Sequence, residues 1–223
     1  MSHEISPSAA DRCTISVAEE TARALSVSAA APICAAPAVL RLCEALDAAF
    51  EQSAHSNDPS QRASFALGIR TALAEAAADP ALLAPAQREG AADTYRRHLL
   101  AADPHGRYAI AALVWMPGQA SPVHAHQTWC GYAVLDGCLS ETVYDWNEAQ
   151  QRAVETRTQP RASGAVSFVR AGRSGIHRLG NASGAPAVSL HIYGVEGSHI
   201  ATHVNDVLEV AARATRAVEP AAA

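Results

Sequence analysis

The sequence predicts a mainly β domain, a barrel or double-sheet jelly roll, preceded by an N-terminal α-helical layer. Short apolar runs of strand length follow one another from residue 107 onward, with Gly, Pro, Asp or Asn between them. Before them, two stretches carry apolar residues at three-and-four spacing. The chain has 223 residues, 49% apolar and 17% charged, which suits one domain with tails and a real core.

Residues 1–37 are rich in Ala, Ser and Pro without a period, so a flexible arm is expected there. A single domain over 38–207 then opens with an amphipathic helix through Val39, Leu40, Leu42, Cys43, Leu46 and Phe50. Asp58, Pro59 and Ser60 give the start signal of a second helix, which runs through Phe65, Leu67, Ile69, Leu73 and Ala77 and closes near Asp79 and Pro80. Strands are predicted at Tyr108 to Met116, Val123 to Gln127, Gly131 to Leu135, Leu139 to Trp146, Ala165 to Val169, Ile176 to Leu179 and Val188 to Tyr193. A short helix is expected after His203, and an Ala-rich tail over 208–223.

Seventeen basic against 22 acidic residues leave a formal net charge of −5, which lacks the basic footprint of a nucleic-acid binder. All the basic residues are Arg, and the absence of Lys excludes Schiff-base, pyridoxal-phosphate and phosphate-loop lysine chemistry. Five cysteines (Cys13, Cys34, Cys43, Cys130, Cys138) are an odd number and fit a reducing compartment. Glu19 and Glu20 stand where a signal peptide would carry positive charge, and no run approaches the ~20 apolar residues of a membrane span. A cytoplasmic protein without a membrane or nucleic-acid partner is expected.

The sharpest local pattern is Gly118-Gln-Ala-Ser-Pro-Val-His124-Ala-His126, followed by Gly137. On a strand, positions i and i+2 point the same way, so both imidazoles can grip one ion. His177, with Asn181 four residues on, can add a third imidazole from a neighbouring strand, and three nitrogen ligands leave open positions on a first-row metal. Ser189, His191 and Tyr193 alternate onto one strand face and can form a relay of hydroxyl, imidazole and phenol. Arg97 offers a permanently charged planar fork to a substrate carboxylate, and Tyr95 would face the same pocket. Trp115 and Trp146 read as packing, and Trp129 as a candidate pocket wall.

These spacings resemble the cupin motifs G-x5-H-x-H-x3-E-x6-G and H-x3-N, and so imply the cupin double-stranded β-helix. Cys130 stands where that motif has its Glu, which leaves three histidines and no ligand carboxylate. Within the cupins the chain resembles the cysteine dioxygenase family over about residues 95–194. Ser189-Leu-His191-Ile-Tyr193 and Tyr95-Arg-Arg97 match two further blocks of that family. The resemblance implies Fe(II) held by His124, His126 and His177, with Tyr193, His191 and Ser189 as catalytic residues and Arg97 and Tyr95 binding substrate. Animal members carry a thioether between a cysteine and the active-site Tyr, which points to Cys130 and Tyr193 here.

Ferrous iron with three neutral imidazoles keeps two positive charges for a thiolate and reduced oxygen to neutralise. The expected reaction is oxidation of a small thiol carboxylic acid by O2 to its sulfinic acid. L-cysteine is the first choice because of Arg97; 3-mercaptopropionate and mercaptosuccinate are the alternatives. A different class, a metal-dependent isomerase or a non-catalytic ligand-binding domain, stays open because a cupin fold does not fix chemistry.

Overall fold

The structure, a computed structural model, describes residues 36–211. The predicted arm, except for its last two residues, lies outside the described residues, as do Cys13, Cys34 and positions 212–223 of the predicted tail. Helix α1 spans Pro37–Glu51 and helix α2 Ala63–Ala77. Ten strands follow: β1 (Arg96–Ala102), β2 (Ala109–Trp115), β3 (His124–His126), β4 (Cys130–Asp136), β5 (Cys138–Asn147), β6 (Arg152–Ala162), β7 (Val166–Val169), β8 (Gly172–Gly180), β9 (Ala187–Tyr193) and β10 (Asn205–Val207). They form two five-stranded sheets in the orders β1-β2-β9-β4-β7 and β10-β3-β8-β5-β6. All strand pairs are antiparallel. This is the double-stranded β-helix of the cupins with a helical layer on one side. No helix among the described residues is long and apolar enough to cross a membrane.

The helices exist to cover the first sheet. Leu42 and Leu46 of α1 and Phe65, Ile69 and Leu73 of α2 are buried against Ile110, Ala112 and Val114 of β2 and Val188, Leu190 and Ile192 of β9. Residues of opposite parity on the same strands, Ala111, Leu113, Trp115 and Tyr193, pack toward the barrel interior. β2 and β9 are therefore buried along their whole length, which is why they read as continuous apolar runs or, in β9, as apolar residues interleaved with Ser, His and Tyr. Each fully buried aliphatic side chain contributes roughly 1.5–3 kcal/mol, so the helical layer stabilises the sheet that holds half the site.

Two glycines are required by geometry. Gly137 adopts φ +75 in the tight connection of β4 to β5, a conformation other residues enter only under strain. A Cβ on Gly131 would lie 2.9 Å from Leu73 Cδ1 and 3.0 Å from Ile69 Cγ2, so its bare backbone lets α2 approach β4.

Three expectations are corrected. The Asp58-Pro59-Ser60 signal starts a single 3-10 turn, Pro59–Gln61, with Asp58 Oδ1 accepting from the Ser60 amide; extended Arg62 separates it from α2. After His203 the chain forms β10 rather than a helix, because pairing with β3 satisfies its backbone. Trp129 does not line the pocket: neighbouring Cys130 points inward, so the indole faces the helices, 5.3 Å from Phe65 in an edge-on contact. Strands β1 and β6 have no counterpart among the predicted strands; β6 is mostly solvated, so no alternation marks it.

Phe65 is fully buried and touches both Phe50 and Trp129. Phe65→Ala is expected to cost about 3–5 kcal/mol of unfolding free energy, read from the urea midpoint.

Candidate metal centre and the pocket around it

Strand β3 is three residues long, and its alternation sends Ala125 outward to Tyr144, Ala153 and Ile176 while His124 and His126 face inward. On the neighbouring strand, His177 sits directly opposite His124 in the β3–β8 register. The result is a buried triangle of imidazoles with ring centroids 4.8–5.0 Å apart. One nitrogen from each ring lies within 4.8 Å of the others, and this is the cluster of potential metal ligands among the described residues.

The outer face of the triangle fixes which nitrogens are free. His124 Nδ1 is 3.0 Å from the Pro122 carbonyl oxygen, and His177 Nδ1 is 2.9 Å from Glu141 Oε1. A carbonyl or carboxylate oxygen only accepts, so both rings carry a proton on Nδ1, and Nε2 is the atom each can offer a metal. Burial, reinforced by the neighbouring imidazoles, lowers His124 to about 3 and His126 to about 2. Both rings are thus neutral near pH 7. Imidazole nitrogens converging from two strands fit a divalent first-row cation.

Behind His177 lies a polar layer. Glu141 Oε2 accepts from Gln159 Nε2 at 2.8 Å and lies 3.6 Å from Arg161 Nε. Burial alone would raise the Glu141 carboxyl, but the hydrogen bonds from His177 and Gln159 and the charge of Arg161 bring it down to about 2. The Arg161 guanidinium also stands 5.5 Å from the centre of the Tyr132 ring, which stacks on His191.

The opposite wall is built by the first sheet. Arg97 is 5% exposed, donates from Nη1 to the Ile200 carbonyl at 3.2 Å, and keeps a buried Nε without a partner. It has no salt-bridge partner among the described residues, so a desolvated positive charge waits beside the triangle. Its carbon Cζ is 5.7 Å from the centre of the Tyr193 ring, and burial holds the Tyr193 phenol well above its ordinary pKa. Burial does the same to the Cys130 thiol, so both stay protonated.

Cys130 lies directly across from Tyr193 in the β4–β9 register. Tyr95 stacks on Trp115 at 4.4 Å, and Trp115 Nε1 donates to Ser189 Oγ at 2.9 Å. Ser189 Oγ is in turn 2.9 Å from His191 Nε2. Between His191 and Tyr193 the contact is ring stacking, with centroids 5.6 Å apart.

The three histidines, Tyr95, Arg97, Cys130, His191 and Tyr193 all line one pocket of about 20 Å³. Ser189 stands behind His191 rather than on the wall. A larger groove of about 810 Å³ lies between the β1–β2 turn and residues 196–201, but it gathers no comparable set of metal ligands among the described residues. Sequence reasoning misses Glu141, Tyr132 and Asn205 as site residues, and takes Trp115 for packing alone. Alternation along β5 is the available signal for Glu141, since it shares a face with buried Leu139.

Asn181 has a structural job. Its Nδ2 donates to the Trp115 and Ala185 carbonyls, both at 2.8 Å, and its Oδ1 accepts from the Ser183 amide and hydroxyl.

The family model described as cysteine dioxygenase type I matches residues 88–202. Cysteine dioxygenase type 1 of Rattus norvegicus is 31% identical over 96 residues, covering 40% of this chain and 46% of the relative. The same protein of Mus musculus matches to the same extent. The match thus spans about half the length of the curated relatives. Among solved structures, a protein from Thermus thermophilus has a TM-score of 0.39 at 22% identity, over 51% of this chain and 96% of that one. A Klebsiella pneumoniae protein with a double-stranded β-helix domain gives 0.39 at 12% identity, over 53% and 93%.

Asn181→Ala is expected to lower the unfolding free energy by at least about 2 kcal/mol, because it strands buried carbonyls. Divalent-metal binding, measured by competition with a chelator, is expected to persist.

Proposed function

The chain belongs to the cysteine dioxygenase type I family, and from that we propose that it is a non-haem Fe(II) thiol dioxygenase acting on a small thiol carboxylic acid, first of all L-cysteine. The reaction is R–SH + O2 → R–SO2H, with both oxygen atoms in the sulfinic acid and no external reductant. The observation that carries the reading is the pairing of a buried three-imidazole triangle with one buried guanidinium that has no salt-bridge partner among the described residues, both lining the same pocket.

His124, His126 and His177 would hold the iron, whose role is to supply the redox-active centre at which a thiolate is oxidised by dioxygen. Arg97 binds the carboxylate. Its free Nε and remaining Nη protons form the planar fork that a carboxylate matches, and the bound anion offsets the cost of burying the guanidinium. Tyr95, facing the same cavity, narrows the carboxylate end.

The Tyr193 phenol, kept protonated by burial, donates a hydrogen bond toward the reacting end of the substrate. His191, held by Ser189 and through it by Trp115, fixes the plane against which the Tyr193 ring stacks. The cavity lining contains Arg97 as its one Arg, so the second carboxylate of mercaptosuccinate would go unpaired there.

Cys130 and Tyr193 lie opposite each other on adjacent strands, which supports a thioether between them. The bond would form between Sγ and a ring carbon, with two hydrogen atoms lost and two electrons passing to dioxygen. Protein turned over with iron and substrate is then expected to show an intact mass lower by two hydrogens and a gel doublet. Cys130→Ala should abolish both signatures, and a doublet that survives it refutes the crosslink.

The function is tested by following oxygen uptake and sulfinate formation with L-cysteine, 3-mercaptopropionate and mercaptosuccinate on the iron-loaded chain. Consumption of none of them, with zinc as the bound metal, overturns the reading. His126→Ala should lose iron. Arg97→Ala should retain iron and raise KM for thiol acids about 10- to 100-fold, the loss of one charge-assisted contact; an unchanged KM dismisses Arg97.

A further inference from the structure

We propose that Glu141 is a positioning residue that sets the electron-donating strength of His177 toward the metal, so that the negative charge missing from the ligand set acts one hydrogen bond further out. The inference rests on the metal-centre reading above and deepens it.

The placement is specific. Glu141 on β5 reaches the outer nitrogen of His177 on the adjacent strand β8, while Gln159 and Arg161 on β6 approach its other oxygen from the opposite side. A carboxylate buried to this degree is costly, and Gln159 and Arg161 meet only its far oxygen, the Arg161 Nε at ion-pair rather than hydrogen-bond distance. The near oxygen serves His177, which is 5% exposed. A carboxylate accepting from Nδ1–H draws that proton outward and enriches the ring at Nε2, which strengthens the ligand and favours the higher oxidation state. Such partners change metal affinity by about 10- to 100-fold.

The layer also reaches the opposite sheet. Arg161 leans on the Tyr132 ring, and Tyr132 stacks on His191 at 5.5 Å with the rings 20° from parallel. Glu141 thereby anchors the one cation that presses Tyr132 against the relay residue. Because Cys130 replaces an acid at the first motif, Glu141 is the carboxylate in contact with the triangle.

The test uses the full chain loaded anaerobically with Fe(II), and reads the iron dissociation constant by chelator competition and the midpoint potential by redox titration. Glu141→Gln keeps an acceptor for His177 but removes the charge; iron affinity is expected to fall about tenfold or more and the potential to rise. Gln159→Leu strips a donor from the far oxygen, leaving Glu141 a stronger acceptor for His177, so the potential is expected to fall.

Opposite shifts are the signature, because general loosening of the barrel moves both variants the same way. Wild-type affinity and potential in Glu141→Gln, or shifts of one sign in both variants, overturn the proposal. If Glu141→Gln fails to fold, Gln159→Leu decides alone: a fall supports, no change or a rise overturns. Neither readout requires turnover. Iron binding with these shifts but no thiol oxidation refutes only the dioxygenase reading, whereas thiol oxidation without the shifts refutes only Glu141.

Discussion

The antiparallel pairing of β3 with β8 is the constraint on which the site depends. It puts His124 across from His177, and the short period of β3 brings His126 to the same side. A slip of one residue would turn His177 out of the barrel and carry a neighbour into its place. The register is held from both sides: β10 closes the outer edge of β3, and β5 pairs with β8 so that Val143 lies across from His177. The metal centre is thus a property of sheet registration more than of any one residue.

The other sheet supplies the complement through division of labour between the faces of β9. Val188, Leu190 and Ile192 anchor the strand under the helices, which frees Ser189, His191 and Tyr193 to be polar and still buried. Polar groups in such surroundings are tolerable only when satisfied, and Trp115, Ser189 and His191 satisfy one another in sequence. Arg97 Nε, like His126 Nδ1 and the Tyr132 hydroxyl, has no such partner among the described residues. The unmatched charge of Arg97 is a cost to the free protein, and on the proposed function a bound carboxylate would offset it.

Much of this is legible in the sequence, for physical reasons that also explain the failures. The spacing of His124, His126 and His177 and the alternation of Ser189, His191 and Tyr193 are strand geometry written directly into residue order. Trp129 is misread when parity is not carried back from Cys130. The second helix starts later than its signal suggests because Asp58 and Pro59 serve a 3-10 turn as well as they serve a helix. Strand β6 leaves no trace because both its faces are largely wet, and β10 because three residues are too few to carry a period. Glu141 escapes because a lone acid in a strand draws attention only after its neighbours are known to be inside.

The narrowness of the pocket has a consequence of its own. Room of about 20 Å³ is near that needed for one water, so a larger guest must extend out through the mouth or displace wall side chains. Tripeptide thiols and protein cysteines demand far more displacement than a three-carbon acid does. On the proposed function, bulk would act as the first filter, and the guanidinium would choose among the small thiols that pass it.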